Sequence, residues 1–372
     1  MPLAAFLKQY FAENKKFGSK DRRYIAHVCY CYYRLGHALK EHAFEVKVQT
    51  ALFLCDDSDD WNILYDAEWM NNKSGVLQKR IDFIRTVFPD LSLQDIFPWV
   101  EELSNGIEAQ KFITSHFIQP DLFLRIRPGN KKNVLQKLTG RQTQFKQLSN
   151  DCISLPNATR VDDIVEIDKE VVVQDFSSQR VASFLWEVVG SEPAVVRVWD
   201  CCAASGGKSI LAYDIIPNID LTVSDIRPTI IQNLKKRFER AGIKNYHSFI
   251  TNLTGSRRNT ADFKLIICDA PCTGSGTWGR TPEQLCFFPA EQINEYAALQ
   301  EKIVRSIIPD LSINSYFLYI TCSVFKKENE DMVEIIEEEF SLEVVKKELL
   351  KGYGLKADSM FAVLFVKKVK SS

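Results

Sequence analysis

Long apolar runs are missing from this chain. No stretch of its 372 residues approaches the ~20 apolar residues that a membrane-spanning helix requires, so no membrane partner is expected. A basic leader followed by an apolar stretch and a small-residue cleavage site is also lacking at Met1-Pro2-Leu3-Ala4-Ala5-Phe6-Leu7-Lys8, which points to a cytoplasmic location. The 10 cysteines contain no paired Cys-x-x-Cys clusters: Cys29-x-Cys31, Cys268-x-x-x-Cys272 and single thiols make neither a zinc site nor a secreted disulfide framework. The thiols are therefore expected to stay reduced and to bind no metal, which leaves catalysis or burial as their uses. An excess of one charge is absent as well, with 47 Lys and Arg against 48 Asp and Glu. Two nucleotide fingerprints fail: Gly-x-Gly-x-x-Gly does not occur, and Gly207-Lys208-Ser209 is not a phosphate loop because Cys202 stands where its first glycine should be.

What remains is ordinary globular material, 45% hydrophobic and 26% charged, long enough for two or three domains. A charge sum of only −1 hides a segregated distribution. Arg125, Arg127, Lys131, Lys132, Lys137, Arg141 and Lys146 face the single acid Asp121 between Gln119 and Leu148, whereas Glu334 to Glu339 is acidic. The basic stretch is a candidate RNA footprint, although a charge run is more often a solvated face.

Residues from about Pro2 to Phe117 repeat apolar side chains at three- and four-residue steps, as in Phe6, Tyr10 and Phe11 and again in Ile25, Val28, Cys29, Tyr32 and Leu35, which predicts an all-helical region. Ser19 and Asp21 are candidate N-caps of its second helix. From about Gln119 the pattern becomes a small α+β module, with a strand at Leu122 to Arg127 closed by Pro128-Gly129, a helix at Val134 to Leu138 and a strand at Val171 to Asp175. A helix carrying Gln179 and Val181 to Val189 follows. Strands then alternate with helices: strands at Val195 to Trp199, Asp220 to Val223, Phe263 to Cys268, Tyr316 to Ile320 and Phe361 to Val366, helices at Ser209 to Asp214, Ile230 to Ala241, Ala290 to Ile308 and Glu328 to Glu338. Such alternation predicts an α/β, mostly parallel, doubly wound sheet of the Rossmann type, whose ligands lie at the carboxyl ends of the strands.

Three cysteine-centred phrases fall at those ends. They are Asp200-Cys201-Cys202-Ala203-Ala204-Ser205-Gly206-Gly207-Lys208, Asp269-Ala270-Pro271-Cys272-Thr273-Gly274-Ser275-Gly276 and Thr321-Cys322-Ser323. Gly206 and Gly207 allow main-chain amides to approach a ligand at a helix start, and Asp225 ends a strand where a carboxylate in such sheets binds a ribose diol. Cys272 and Cys322 sit in polar turns and read as functional, whereas Cys29, Cys31, Cys55, Cys152, Cys201 and Cys268 read as buried small hydrophobes.

Together with Gln174-Asp175-Phe176-Ser177-Ser178-Gln179 and Glu328-Asn329-Glu330, these phrases resemble, in order and separation, the Fmu/Sun and nucleolar-protein family of RNA cytosine-C5 methyltransferases. The resemblance is specific from Gln119 to Lys367 and looser at Gly18-Ser19-Lys20-Asp21-Arg22-Arg23, which looks like the start of that family's helical NusB-like domain. It implies a NusB-like RNA-docking domain at 1–118, a basic α+β RNA-binding module at 119–182 and a class I methyltransferase domain at 183–372. It also implies S-adenosylmethionine as cofactor and a monomer that binds RNA, ribosomal rather than transfer RNA.

Carried onto this chain, the family pattern gives Cys202, Ala203, Ala204, Ser205, Gly206, Gly207 and Lys208 to the methionine and ribose part of the cofactor, Asp225 to the ribose hydroxyls and Asn252 to the adenine. Asp269 would lie where cofactor and base meet, Cys322 would attack carbon 6 and Cys272 would assist release. Pro271-Cys272 is also the kind of pair with which DNA cytosine methyltransferases attack, and it is the second thiol, Cys322, that points to the RNA-type assignment. The chain departs from the pattern at Ser205, at Asn252 and at Gly279, where a proline, an aspartate and an arginine are usual. Two rivals are weighed against this reading. An amino-group methyltransferase lacks support because its Asn/Asp-Pro-Pro-aromatic turn is replaced by Asp269-Ala270-Pro271-Cys272, and a catalytically inactive ribosome-assembly factor need not have kept both thiols.

Overall fold

The structure, a computed structural model, describes residues 1–73, 75–189, 195–255 and 262–368. Contacts divide these residues into two units. The first contains Met1–Leu103, Ile107–Pro120 and Thr277–Ala290. Its helices are Leu3–Glu13, Ser19–Tyr33, Phe44–Cys55, Ala67–Asn72, Leu77–Val87 and Ala109–Ser115, with the short Gln284–Phe287 from the later segment. The helices expected from the periodicity are present, but Phe6 is half exposed and Leu3, Leu7 and Phe11 form the buried face of the first, while Phe53 and Ile84 are fully buried in the third and fifth. At the second helix Gly18 is the N-cap, so Ser19 is already inside the first turn, and the Asp21 carboxylate reaches back to accept from the Gly18 amide at 3.0 Å. Segment 277–290 is tied into this unit by Arg34, a buried guanidinium that donates to the carbonyls of His116 and Gly279 and to Gln119 Oε1.

The second unit comprises Ser104–Gly106, Asp121–Gly276 and the residues from Glu291 onward. Among the described residues its strands form two sheets. A four-stranded antiparallel sheet contains β1 (Leu122–Ile126), β2 (Lys146–Gln147), β3 (Cys152–Leu155) and β4 (Val171–Val173) in the order β2-β3-β1-β4. Val134 and Leu138 of the helix Lys131–Gly140 join Leu124, Ile126 and Ile153 in its core.

The larger sheet contains β5 (Val196–Asp200), β6 (Ile219–Asp225), β7 (Tyr246–Ile250), β8 (Phe263–Asp269), β9 (Leu311–Thr321), β10 (Leu342–Leu350) and β11 (Met360–Lys367). Its order is β10-β11-β9-β8-β5-β6-β7, with β5 to β9 parallel and β11 antiparallel to both of its neighbours. Two-residue alternation decides which side chains meet which helices. Leu265 and Ile267 join Ile210, Leu234 and Phe238 on one face, while Ile266 and Cys268 join Val304, Met332 and Ile336 on the other. Helices on both faces make this the expected Rossmann-type doubly wound sheet, and the strand order reverses between β5 and β8. Among the described residues no helix is long and apolar enough to cross a membrane.

Several elements differ from their expected form. Residues Val181 to Val189 do not make one helix: Phe176–Arg180 and Ala182–Leu185 are short, separate turns. Strands β2, β3, β7 and β10 carry weak signals. In β10, Lys346, Lys347 and Glu348 interrupt the apolar run because the strand is an edge.

One glycine is fixed by close approach. Gly276 N–H donates to the Cys322 carbonyl at 2.9 Å and its own carbonyl accepts from Ser359 at 2.9 Å, so an added Cβ would fall 2.0 Å from the Ser359 oxygen. Gly276→Ala is expected to lower unfolding free energy by about 2 kcal/mol, measured by urea denaturation. Gly140→Ala, whose Cβ would meet nothing within 4 Å, is expected to leave stability within about 1 kcal/mol of wild type.

Candidate functional site

The turn after β5 is shaped by backbone geometry. Ala204 and Gly206 both have positive φ, 44° and 82°, and Gly206 caps the helix Gly207–Ile215. A Cβ at Gly206 would lie 2.8 Å from the Phe238 ring, so the helix Pro228–Arg240 presses the turn from behind. Asp200, the last residue of β5, is fully buried; one oxygen accepts from Ser209 Oγ at 2.6 Å and the other has no hydrogen-bond partner. Burial pushes its carboxyl up to about 7, with the Ser209 hydroxyl opposing.

Beside this turn opens a cavity of about 480 Å³ at the carboxyl ends of β5, β6 and β8. Asp225 forms its polar floor and accepts from the Ala204 amide at 3.2 Å and the Arg227 amide at 3.0 Å. Ile226, Leu253, Leu299 and Ile303 supply apolar walls. Asn252 lies on the rim, where its side-chain oxygen already accepts from the amide and hydroxyl of Thr254 at 3.0 and 2.8 Å. From the segment Cys202 to Lys208, Cys202 and Ala204 line the cavity. Ala203, Gly206 and Gly207 shape the turn behind it, and Ser205 accepts from Arg237. Arg227 and Tyr296 also line the cavity; neither belongs to a motif, so the sequence carried no signal for them.

Three thiols meet at the cavity wall. The sulfurs of Cys201, Cys202 and Cys268 lie within 4.8 Å of one another, the only group of three potential metal ligands among the described residues. Cys201 and Cys268 are enclosed in the apolar core with Trp199 and Ile266. Burial, with the hydrogen bonds that its thiol donates to Cys202 and Cys268, pushes the Cys201 thiol well up, and Cys268 is also raised. Cys202 moves the other way because the Cys201 and Cys268 thiols donate to it. All ten cysteines are free.

The second pair of thiols stands past the ends of β8 and β9. The parallel register sets Asp269 opposite Ile320, so the turns carrying Cys272 and Cys322 emerge side by side, and the Cys322 amide donates to Cys272 Sγ at 3.3 Å. Lys208 leaves the cavity side and points here: its ammonium donates to Asp269 Oδ2 at 3.1 Å and to Ser178 Oγ at 2.8 Å. Burial lowers the Lys208 pKa, but Asp269 and Cys322 outweigh it and the net shift is upward. Cys272 and burial push the Cys322 thiol well above the ordinary thiol value, with Lys208 pulling the other way. Asp269, Pro271 and Cys272 also border the cavity, so the cavity and the thiol pair share one wall.

Much of the basic stretch is internal. Arg125 and Arg127 both pair with the buried Asp214 at 2.7 Å, and Lys137 pairs with Glu170 at 2.7 Å. Lys132, Arg141 and Lys146 are the cations of that stretch left exposed.

Comparison with known proteins places this geometry. Residues 192–366 match the family model described as 16S rRNA methyltransferase RsmB/F. The chain is 29% identical over 190 residues to the ribosomal RNA small subunit methyltransferase B of Xanthomonas campestris, covering 48% of this chain and 42% of that protein. It is 26% identical to the probable ribosomal RNA small subunit methyltransferase B of Bacillus subtilis, covering 61% of this chain and 52% of that protein, so it spans about half the length of the curated relatives it matches. Among solved structures, NSun6 from Pyrococcus horikoshii with SFG shares the fold at a TM-score of 0.60 and 11% identity, covering 75% of this chain and 97% of that one. Over residues 192–366, a little under half of its length, the chain is thus similar to the 16S rRNA methyltransferase RsmB/F family.

Proposed function

We propose that this chain is an S-adenosylmethionine-dependent methyltransferase acting on carbon 5 of a cytosine in ribosomal RNA. The observation that carries the reading is the pair of thiols, Cys272 and Cys322, in contact beside a carboxylate and an ammonium at the edge of a nucleotide-sized cavity. One thiol would suit many enzymes. Two are useful when a covalent bond to a ring must be made and then broken.

The cavity fits the cofactor on the chemistry of its own residues. The Asp225 carboxylate suits a ribose diol, the apolar walls Ile226, Leu253, Leu299 and Ile303 suit a flat base, and the turn with its left-handed Gly206 lets the chain pass close to a ligand. S-adenosylmethionine, when bound, supplies the electrophilic methyl group. The chain's own residues do the remainder. Cys322 loses its proton to solvent and its sulfur bonds to carbon 6, which breaks the ring's 5,6 double bond and makes carbon 5 nucleophilic. A proton held at the Asp269–Lys208 pair neutralises the charge gathering on the ring. After methylation Cys272, in its deprotonated form, takes the carbon 5 proton, the double bond re-forms, the ring returns its borrowed proton to the Asp269–Lys208 pair and the Cys322 sulfur departs as a thiolate. The base must be turned out of its stack to reach that turn.

RNA binding fits the chain in outline. The helical residues 1–118 would dock folded RNA, and the 119–182 module would hold the strand through Lys132, Arg141 and Lys146, since Arg125, Arg127 and Lys137 are engaged internally. A transfer RNA substrate and an inactive assembly factor are the alternatives that assays would separate.

Three outcomes are expected. With labelled S-adenosylmethionine and unmodified ribosomal RNA, wild type transfers methyl, Cys322→Ala does not, and Cys272→Ala accumulates protein-linked RNA on a denaturing gel; the reverse pattern would exchange the two roles, and transfer to no RNA would favour the assembly factor. Because Cys322 is raised above the ordinary thiol value, its thiolate fraction grows with pH, so single-turnover methylation should rise steadily from pH 6 to pH 9. A flat or falling profile would exclude thiol ionisation at Cys322 as the limiting event. Alkylation by iodoacetamide should mark Cys202 well before the enclosed Cys201 and Cys268, and bound S-adenosylhomocysteine should protect it, as read by peptide mass spectrometry.

A further inference from the structure

Glu328 lies outside both cysteine turns, yet it touches each. It is fully buried just before the helix Glu330–Glu339. Its Oε1 accepts from the Thr273 amide at 2.9 Å and from Gln300 Nε2 at 2.9 Å. Its Oε2 accepts from the Thr273 hydroxyl at 2.6 Å and from the Ser323 hydroxyl. Thr273 follows Cys272 directly, and Ser323 follows Cys322 directly. One carboxyl group therefore fastens both thiol-bearing turns within one residue of each sulfur's own backbone.

The surroundings leave that carboxyl little freedom. Gln300 gives the same nitrogen to the Pro271 carbonyl at 2.9 Å and receives the Tyr319 hydroxyl on its oxygen at 2.9 Å, which fixes the amide's orientation. Tyr319 also donates to the Glu328 carbonyl at 2.9 Å. Ser275 Oγ contacts Ser323 Oγ at 3.1 Å and accepts from the Val324 amide at 2.9 Å. Next along the chain, Asn329 Oδ1 accepts from the Thr321 hydroxyl at 2.5 Å, and its nitrogen donates to the Ser323 carbonyl at 3.0 Å, so Cys322 is held from both sides. A buried network of this kind is rigid only while every member is satisfied.

We infer that Glu328 is a positioning residue that sets the separation of the Cys272 and Cys322 sulfurs, acting through Thr273 and Ser323 without touching the substrate. The inference rests on the reading of Cys322 and Cys272 as the reacting thiols. Donor chemistry predicts which substitutions succeed. The two partners of Oε1 are obligatory N–H donors, whereas the two partners of Oε2 are hydroxyls that can turn and accept. Gln can therefore replace Glu in a single orientation with its oxygen toward Thr273 N–H and Gln300. Ala removes the one acceptor that these four donors share and lets the turns part.

The test compares wild type, Glu328→Gln and Glu328→Ala by iodoacetamide labelling of Cys272, Cys322 and Cys202, by calorimetric affinity for S-adenosylhomocysteine and by methyl transfer to ribosomal RNA. In Glu328→Ala, labelling of Cys272 and Cys322 should change about fivefold or more while Cys202 labelling and cofactor affinity stay within about twofold. Methyl transfer should fall about 100-fold in kcat, the loss that a misplacement near 1 Å produces. Glu328→Gln should remain within about threefold of wild type throughout. Wild-type labelling rates in Glu328→Ala would overturn the inference, as would a Glu328→Gln variant as impaired as Glu328→Ala. Should Glu328→Ala give no cooperative melt, Thr273→Val, which removes one hydroxyl from the knot, should still change labelling of Cys272, and an unchanged rate there would equally overturn it. Failure of wild type to methylate any RNA would sink the functional reading alone, because the labelling arms need no substrate.

Discussion

Parallel pairing of β8 with β9 is the constraint from which the site follows. The register sets Asp269 against Ile320, and the strands end on the polar residues Asp269 and Thr321, with a cysteine within three positions of each. Cys272 and Cys322 are 50 residues apart in the chain, yet the Cys322 amide reaches the Cys272 sulfur. Shifting that register by one residue would turn Leu265, Ile267 and Leu318 away from the helices they pack against and would carry the two turns apart. Fold stability and thiol placement are therefore a single requirement.

Electrostatics act on top of that geometry. Lys208 comes from the glycine turn after β5 but directs its ammonium toward Asp269 at the end of β8, so the cofactor-side turn and the thiol-side turns share a charge pair. The same ammonium opposes the Cys272 hydrogen bond and the burial that together hold Cys322 as a thiol. On the cavity side, Cys201 and Cys268 are driven into the protonated form and donate to Cys202. Within the cavity group the tendencies are opposite, Cys201 and Cys268 raised and Cys202 lowered, and the hydrogen bonds among the three sulfurs lower Cys202 in spite of its burial.

A large part of this arrangement was legible in the residues. Short apolar strands between helices of ten or more residues point to the doubly wound sheet, and the three cysteine phrases fall at its carboxyl ends because turns there need glycine and small polar residues. Side-chain partnership was harder to read. Arg125 and Arg127 look like RNA contacts in a basic run, yet both are taken by Asp214, which lies on a helix 87 or more positions away. Glu328 and Gln300 carry no local sign that they bridge two distant turns, and Lys208 reads as part of the cofactor loop until its partner on β8 is seen. Edge strands such as β10 hide because their outward positions are free to be charged. Pattern reports which face is buried; it does not report which polar atoms meet across it.

The most direct test of the two-thiol account is to trap the protein on RNA in which cytidine is replaced by 5-fluorocytidine and to sequence the linked peptide by mass spectrometry. Fluorine at carbon 5 cannot leave as a proton does, so the covalent bond persists and marks the attacking sulfur. The account predicts RNA attached at Cys322 with Cys272 unmodified. Attachment at Cys272, or no linked peptide from an active preparation, would contradict it.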